Sequence, residues 1–99
     1  MKVRIDIPVD LRLNNSGTFR INQQLSDPEK DITWKTVIAI DAVSGGQLLA
    51  HLEPGYYQKT LETANGQLAS SSNFELRQDG TYVDEEGHTF KITEDGNLM

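Results

Sequence analysis

Apolar and polar residues alternate without interruption over residues 3–13. Every odd position in this segment is Val, Ile or Leu, whereas the even positions are Arg, Asp or Pro8. Successive side chains of a β-strand point to opposite faces, and no α-helix sustains a period of two over this length. The pattern predicts a long strand of an antiparallel sheet, with one buried and one solvated face. Because Pro8 lacks an N–H group, it is predicted at a sheet edge or at a bend between two shorter strands.

The residues that follow this segment predict a hairpin. A three-residue loop over 15–17 sets Leu13 opposite Phe19 and keeps the apolar side chains of both strands on one face. Such a loop combines a type I turn with a residue of positive φ, and Gly17 falls at that position. A four-residue loop would mix apolar and polar side chains on each face. The sequence therefore predicts that the first strand pairs with the segment after Gly17.

The last quarter of the chain predicts a meander of three strands. Asp79-Gly80 is typical of a two-residue hairpin turn, which would set Leu76 opposite Val83. A second turn, of two or four residues, is predicted around 85–87. One face of this meander would then carry the row Leu76, Val83 and Phe90, and the other face would carry Arg77, Tyr82 and Lys91.

The middle of the chain indicates further strands. Residues 33–41 are rich in β-branched side chains and are interpreted as a strand buried on both faces. After a turn at 44–46, residues 47–53 are interpreted as its return strand. A short helix over 46–53 is the alternative, because three leucines there also fit helical spacing and Pro54-Gly55 would end a helix.

Three weaker patterns complete the interpretation of the chain. A polar loop is predicted at 26–31, and a loop or irregular edge is predicted at 69–73, because these segments are rich in residues typical of turns. A hairpin about Asn65-Gly66 is predicted to join 56–63 to 67–71, although apolar and polar residues alternate poorly in its strands.

These patterns predict an all-β fold. We expect a single antiparallel β-sandwich or barrel-like domain over residues 1–99, built from hairpins and ending in the three-strand meander, with the helix near 46–53 as its one open alternative. The N-terminus lacks the apolar core of a signal peptide, and no stretch reaches the ~20 apolar residues of a membrane span. The expected location is therefore the cytoplasm or a particle assembled there.

The residue types exclude several kinds of chemistry. The chain has no Cys, so no disulfide, thiolate nucleophile or Cys-ligated metal is available. Phosphate-binding glycine loops and the EF-hand spacing are both absent from the sequence. Two histidines are the candidate bases: His51 is predicted as a partly buried core or interface residue, and His88 as a rim residue opposite Glu85. We expect no metal, no cofactor and no enzymatic activity; an enzyme that uses His88 and Glu85 is a distant alternative.

Charge and aromatic residues indicate a binding role. The formal net charge is −6, and residues 51–99 account for all of it. Such a surface repels phosphate backbones, so direct binding of nucleic acid is disfavoured. Adjacent tyrosines on a strand point to opposite faces, so Tyr56 or Tyr57 should be exposed, and tyrosine is enriched at interfaces. The candidate binding residues are Tyr56, Tyr57, Asp84, Glu85 and Glu86.

Two functions are compatible with these features. The first is a non-enzymatic module for protein–protein interaction or assembly, which pairs with itself or a partner through edge strands. A small accessory or structural protein of a phage or mobile element would have this build. The second is an acidic inhibitor that occupies the basic site of a nucleic-acid enzyme, with the carboxylates of residues 75–95 in place of phosphates.

Overall fold

Two antiparallel β-sheets pack on a shared core in the computed structural model of the chain, which describes residues 1–13, 16–25, 32–41 and 45–99. The smaller sheet pairs β1 with β4, and the larger has the order β3-β2-β5-β6-β7-β8. The predicted all-β fold is confirmed. The strands are β1 (Lys2–Asp6), β2 (Thr18–Leu25), β3 (Thr33–Asp41), β4 (Gln47–His51), β5 (Gly55–Glu62), β6 (Leu68–Leu76), β7 (Thr81–Val83) and β8 (Thr89–Lys91).

Helical structure is minimal in the described part of the chain. A single 3₁₀ turn spans Leu11–Leu13. None of the described segments forms a helix with the length and apolarity that crossing a membrane requires. Residues 46–53 contain a strand, β4, so the helix considered for that segment is wrong. The predicted polar loop at 26–31 lies outside the described residues.

The predicted long first strand is interrupted at Pro8. β1 ends at Asp6, and the alternation holds only as far as Ile7, which is buried. Beyond Pro8, Val9 is 70% exposed and Leu11 is 90% exposed. Proline removes a ladder hydrogen bond, and the chain bends there into the 3₁₀ turn. Of the two positions predicted for Pro8, the bend is therefore confirmed, although a 3₁₀ turn and not a second strand follows it.

The predicted first hairpin is wrong. β1 pairs with β4, so that Val3 lies opposite Ala50, whereas β2 lies between β3 and β5. Asn15 of the predicted loop lies outside the described residues, but the pairing alone removes the requirement for a left-handed Gly17. As far as Ile7, alternation correctly identified which side chains share a buried face, yet it carries no information about which strand lies alongside.

The strand at 33–41 has the predicted bounds and the opposite burial. β3 is an edge strand, and most of its residues are exposed, including Trp34 and Val37 at 38% each. Its neighbour is β2 and not the predicted return strand at 47–53, because β4 belongs to the smaller sheet. Ile21 pairs with Ile38 and Asn22 pairs with Thr36, so Val37 is an extra residue that forms a bulge in β3.

The predicted C-terminal meander is confirmed as β6-β7-β8, but each of its two loops has three residues, whereas two were predicted for the first loop and two or four for the second. Leu76 pairs with Tyr82 and not with Val83, because the loop is 78–80 instead of the two residues Asp79-Gly80. The next loop, 85–87, likewise has three residues, so that Tyr82 lies opposite Phe90. The outward row predicted for Arg77, Tyr82 and Lys91 is therefore wrong.

One turn type recurs four times along the second half of the chain. In each case a glycine of positive φ ends a three-residue loop and donates its N–H to the carbonyl of the residue that opens the turn. This is a type I turn followed by a left-handed residue. The hairpin predicted about Asn65-Gly66 is the first of them, although the loop predicted at 69–73 is part of β6. The four turns span 63–67, 77–81, 84–88 and 93–97.

A ladder of aromatic rings crosses the inner face of the larger sheet. Tyr57 stacks on Phe74 with ring centroids 5.3 Å apart, Phe74 stacks on Tyr82 at 5.2 Å, and Tyr82 meets Phe90 edge-on at 6.2 Å. Such pairs contribute about 0.5–1.5 kcal/mol each beyond their buried area. The rings join aliphatic side chains from both sheets in a core of Val3, Ile5, Ile7, Leu13, Phe19, Ile21, Ala50, Leu52, Tyr57, Leu61, Phe74, Leu76 and Tyr82.

The left-handed turn at Gly80 yields a stability prediction. Gly80 has φ +87°, and a Cβ added there would meet no atom within 4 Å, so the cost of a side chain arises from the backbone alone. We expect Gly80→Ala to lower the free energy of unfolding by about 1 kcal/mol, and Gly80→Asn by less, because Asn adopts this conformation more readily. Urea unfolding measures both. Equal stability of Gly80→Ala and the native protein would contradict the turn geometry.

The buried phenol of Tyr82 yields a pH prediction. Burial, together with the negative charges of Asp84 and Asp6, raises the pKa of Tyr82 to about 12. A tyrosine in the unfolded chain ionises near pH 10. The native state therefore holds the proton longer, and this contribution to stability is lost as the pH rises from about 10 to about 12. Unfolding midpoints measured across this range should fall more steeply for the native protein than for Tyr82→Phe. Parallel curves would contradict the prediction.

Candidate functional site

A groove on the outer face of the larger sheet is the strongest candidate for a functional site. Its centre is one row of side chains that crosses neighbouring strands. Trp34 pairs with Gln24, and the register that sets Gln23 opposite Tyr57 places Gln24 beside Tyr56. Tyr56 pairs with Glu75, which pairs in turn with Val83. The row thus runs from the edge strand β3 to β7 in the order Trp34, Gln24, Tyr56, Glu75, Val83.

Large apolar and aromatic surfaces are exposed in this groove, whose cavity volume is about 350 Å³. Tyr56 is 57% exposed, Ile32 is 65% exposed and Trp34 is 38% exposed. Tyrosine and tryptophan are enriched where proteins bind partners, because each offers a large rigid surface with one polar group. The loop after β7 adds Asp84 and Glu85 to the same lining.

Next to the groove, the polar side chains of the outer face are linked to one another. Thr36 Oγ1 donates to Asn22 Oδ1 at 2.7 Å, and Asn22 Nδ2 contacts Gln58 Oε1 at 3.4 Å. Gln58 Nε2 continues the series to Ser71 Oγ at 3.3 Å. In the middle of the sheet, the polar side chains of the outer face thus hydrogen-bond to one another, as is common for polar pairs on a solvated face.

The polar side chains of the groove, unlike this linked series, are largely without hydrogen-bond partners in the part of the chain that the structure describes. Among the described residues, the side chains of Gln24, Asn73 and Glu85 make no hydrogen bond, and neither do the polar groups of Trp34 and Tyr56. These groups therefore remain available to hydrogen-bond a ligand. The end of the sheet near Trp34 and Tyr56 combines open polar groups with exposed rings, whereas its middle does not.

The carboxylates of the groove differ in their surroundings. Glu75 Oε1 lies 3.4 Å from Arg77 Nε. Asp84 Oδ1 accepts the backbone N–H groups of Glu86 at 3.0 Å and His88 at 2.8 Å. Loss of solvent around the Asp84 carboxyl opposes its ionisation, but these hydrogen bonds and the nearby His88 outweigh it and hold the pKa of Asp84 below its usual value. Asp84 thus shapes the turn as well as the groove.

The structure separates the predicted binding residues into two groups. Tyr56, Asp84 and Glu85 meet in the groove. Tyr57 is only 2% exposed, and its hydroxyl donates to the Glu53 carbonyl at 2.6 Å, so its ring belongs to the core although its edge contributes to the groove floor. Burial, with the charge of Glu53, raises the pKa of Tyr57.

Glu86 lines a second concavity, of about 250 Å³, beside Lys59 and Tyr82, and Asp84 and Glu85 line this concavity as well as the groove. Lys59 donates from Nζ to the Asp6 carbonyl oxygen at 3.2 Å. Burial lowers the pKa of Lys59, and the charge of Asp6 opposes this effect. The lysine braces the end of β1 against β5, and Glu86 is not part of the groove.

Neither histidine has the surroundings predicted for it. His51 is exposed on β4 instead of partly buried. The side chain of His88 is 66% exposed, and its Nδ1 lies 3.3 Å from Asp84 Oδ2 and 3.6 Å from Glu86 Oε2, whereas Glu85 was the predicted neighbour. The three-residue loop causes this change of neighbour. Within the described ranges, no group of three or more His, Cys, Asp or Glu side chains is arranged to hold a metal ion.

Sequence reasoning missed Trp34, Gln24 and Ile32 as groove residues. The interpretation of residues 33–41 as a strand buried on both faces makes Trp34 a core residue. A signal was present in the sequence, because Lys35 and Thr36 follow directly and fit an exposed edge better than a doubly buried strand.

The two adjacent tyrosines should respond oppositely to truncation. We expect Tyr57→Ala to lower the free energy of unfolding by about 3–5 kcal/mol, because it removes a stacked core ring. Tyr56→Ala should change it by less than about 0.5 kcal/mol, because that ring is on the surface. Chemical denaturation compares them directly. A large loss in Tyr56→Ala would mean that the exposed ring has a structural role and would weaken its assignment to a binding groove.

No known protein family, curated protein or solved structure matches this chain. The functional assignment therefore depends on the chemistry of the groove.

Proposed function

We propose that this protein is a non-enzymatic β-module that binds a protein partner through the groove around Tyr56. The observation that carries the proposal is the convergence of exposed rings, open polar groups and carboxylates at one end of the outer sheet face. Partner-binding surfaces combine aromatic anchors with hydrogen-bonding groups in this way. The linked polar series beside the groove supports the sheet without contributing comparable anchors.

The outer edge of β3, which pairs with no second strand among the described residues, is another surface that suits assembly, because an exposed edge can accept another strand. Two features weaken it. The bulge at Val37 divides the edge into halves, and bulges at edges hinder continuous pairing. Lys35 and Asp41 add charges to it. We therefore assign the main contact to the groove and a supporting role to the half-edge at Trp34.

The alternative of an acidic inhibitor receives less support from the geometry. Successive turns of a meander lie at opposite ends of its strands. Asp79, in turn 77–81, is thus at the other end of β7 from Asp84, Glu85 and Glu86 in turn 84–88. The carboxylates of residues 75–95 are divided between two ends and do not form one continuous acidic strip.

Site-specific photo-crosslinking tests the proposal. A photoreactive phenylalanine analogue at position 56 should yield covalent adducts with one discrete partner protein in the native host, identified by mass spectrometry. Position 68 is the matched control, because Leu68 has a similar exposed fraction, 62% against 57% for Tyr56, at the far end of the same sheet. Adduct formation at position 56 that does not exceed that at position 68 would overturn the proposal.

A further inference from the structure

On the basis of the proposed function, we infer that the groove accepts an arginine or lysine side chain of the partner. The charge of the lining favours a cation. Three carboxylates, those of Glu75, Asp84 and Glu85, contribute to the groove, and none of its described lining residues is basic. Lys59 lines the adjoining concavity that Asp84 and Glu85 share, and its ammonium group donates to the Asp6 carbonyl oxygen. The whole chain carries a net charge of −6, which also favours encounter with a basic segment.

Glu85 is the carboxylate available for such a cation. Glu75 already contacts Arg77, and Asp84 is engaged by backbone N–H groups and by His88. Glu85 makes no ion pair or hydrogen bond with any described residue. A cation in the groove would therefore form a new charge pair with Glu85 without displacing an existing contact.

The two exposed rings suit the remainder of a cationic side chain. Trp34 and Tyr56 lie on β3 and β5, on either side of Gln24 in β2. Since neighbouring strands are about 4.8 Å apart, the backbones that carry the two rings are separated by about 10 Å. This spacing leaves room for one extended side chain above Gln24, with its cation close to an aromatic face. The open amide of Gln24 can accept one of its N–H groups.

Trp34 provides a direct readout, because it is the single tryptophan of the chain. The probe is a short peptide, blocked at both ends, in which arginine alternates with serine. Titration of this peptide into the protein should change the fluorescence of Trp34 in a saturable manner. The same peptide with citrulline in place of arginine keeps the shape and some of the N–H donors, but a carbonyl oxygen replaces one nitrogen and the charge is removed, so it should bind at least about tenfold more weakly.

Variants locate the peptide in the groove. We expect Glu85→Gln to weaken binding about threefold and Tyr56→Ala about fivefold. Glu94→Gln is the matched control, since Glu94 is an exposed carboxylate in turn 93–97, it does not line the groove, and its loss changes the net charge equally. Affinity should also fall as salt rises from about 50 mM to about 500 mM.

Four results would overturn the inference. Three of them are equal binding of the citrulline peptide, equal losses in Glu85→Gln and Glu94→Gln, and a fluorescence response to a neutral disaccharide but not to the arginine peptide. A change of Trp34 fluorescence on dilution of the protein alone would do the same, because it would assign the groove to a second copy of the chain. If the arginine peptide does not bind while crosslinking at position 56 still captures one protein, the inference of a cationic ligand is wrong and the proposed protein-binding function remains. If neither experiment gives the expected result, both the inference and the proposed function are wrong.

Discussion

The stacking of aromatic rings across β5, β6, β7 and β8 is the interaction on which the rest of the larger sheet depends. Rings that touch at centroid distances near 5 Å tolerate no shift of a strand by one residue, because such a shift would turn a ring to the opposite face. The ladder therefore fixes the register of Tyr57 against Phe74 and of Tyr82 against Phe90. Once the inner face is set, the outer face is set as well, and Tyr56 and Glu75 must lie side by side.

Much of the fold could be predicted from local pattern. The existence of most strands, the C-terminal meander and the turns near Gly66, Gly80 and Gly87 follow from alternation and turn chemistry, which involve residues close in sequence. The register of the meander could not be obtained in this way. Asp79-Gly80 is compatible with a two-residue and a three-residue loop, and the choice depends on whether Tyr82 or Val83 lies opposite Leu76 and packs against Phe74. That choice is made by tertiary packing, which a local pattern does not contain.

The pairing of strands that are distant in sequence is the second feature that could not be predicted from local pattern. β1 pairs with β4 across more than forty residues, and no feature of residues 3–13 specifies that pairing. The groove shows the same division. Tyr56, Asp84 and Glu85 were identified from residue type and exposure, whereas Trp34 became a groove residue only when β3 was placed beside β2 at the edge of the sheet. Individual side chains of a site can be suggested by sequence, but their assembly depends on long-range pairing.

The recurring three-residue turns also influence the order in which the structure forms. Three of them join strands that are adjacent in sequence, so the loops that must close between β5 and β8 are short and their entropic cost is small. The β1–β4 pair must instead bring the start of the chain to its middle, and non-local pairing of this kind is slow. The C-terminal hairpins are therefore expected to form first and to act as the template for the remainder. During that interval the aromatic ladder lacks the cover of the smaller sheet, and the nascent chain is at its most vulnerable to association with other unfolded chains.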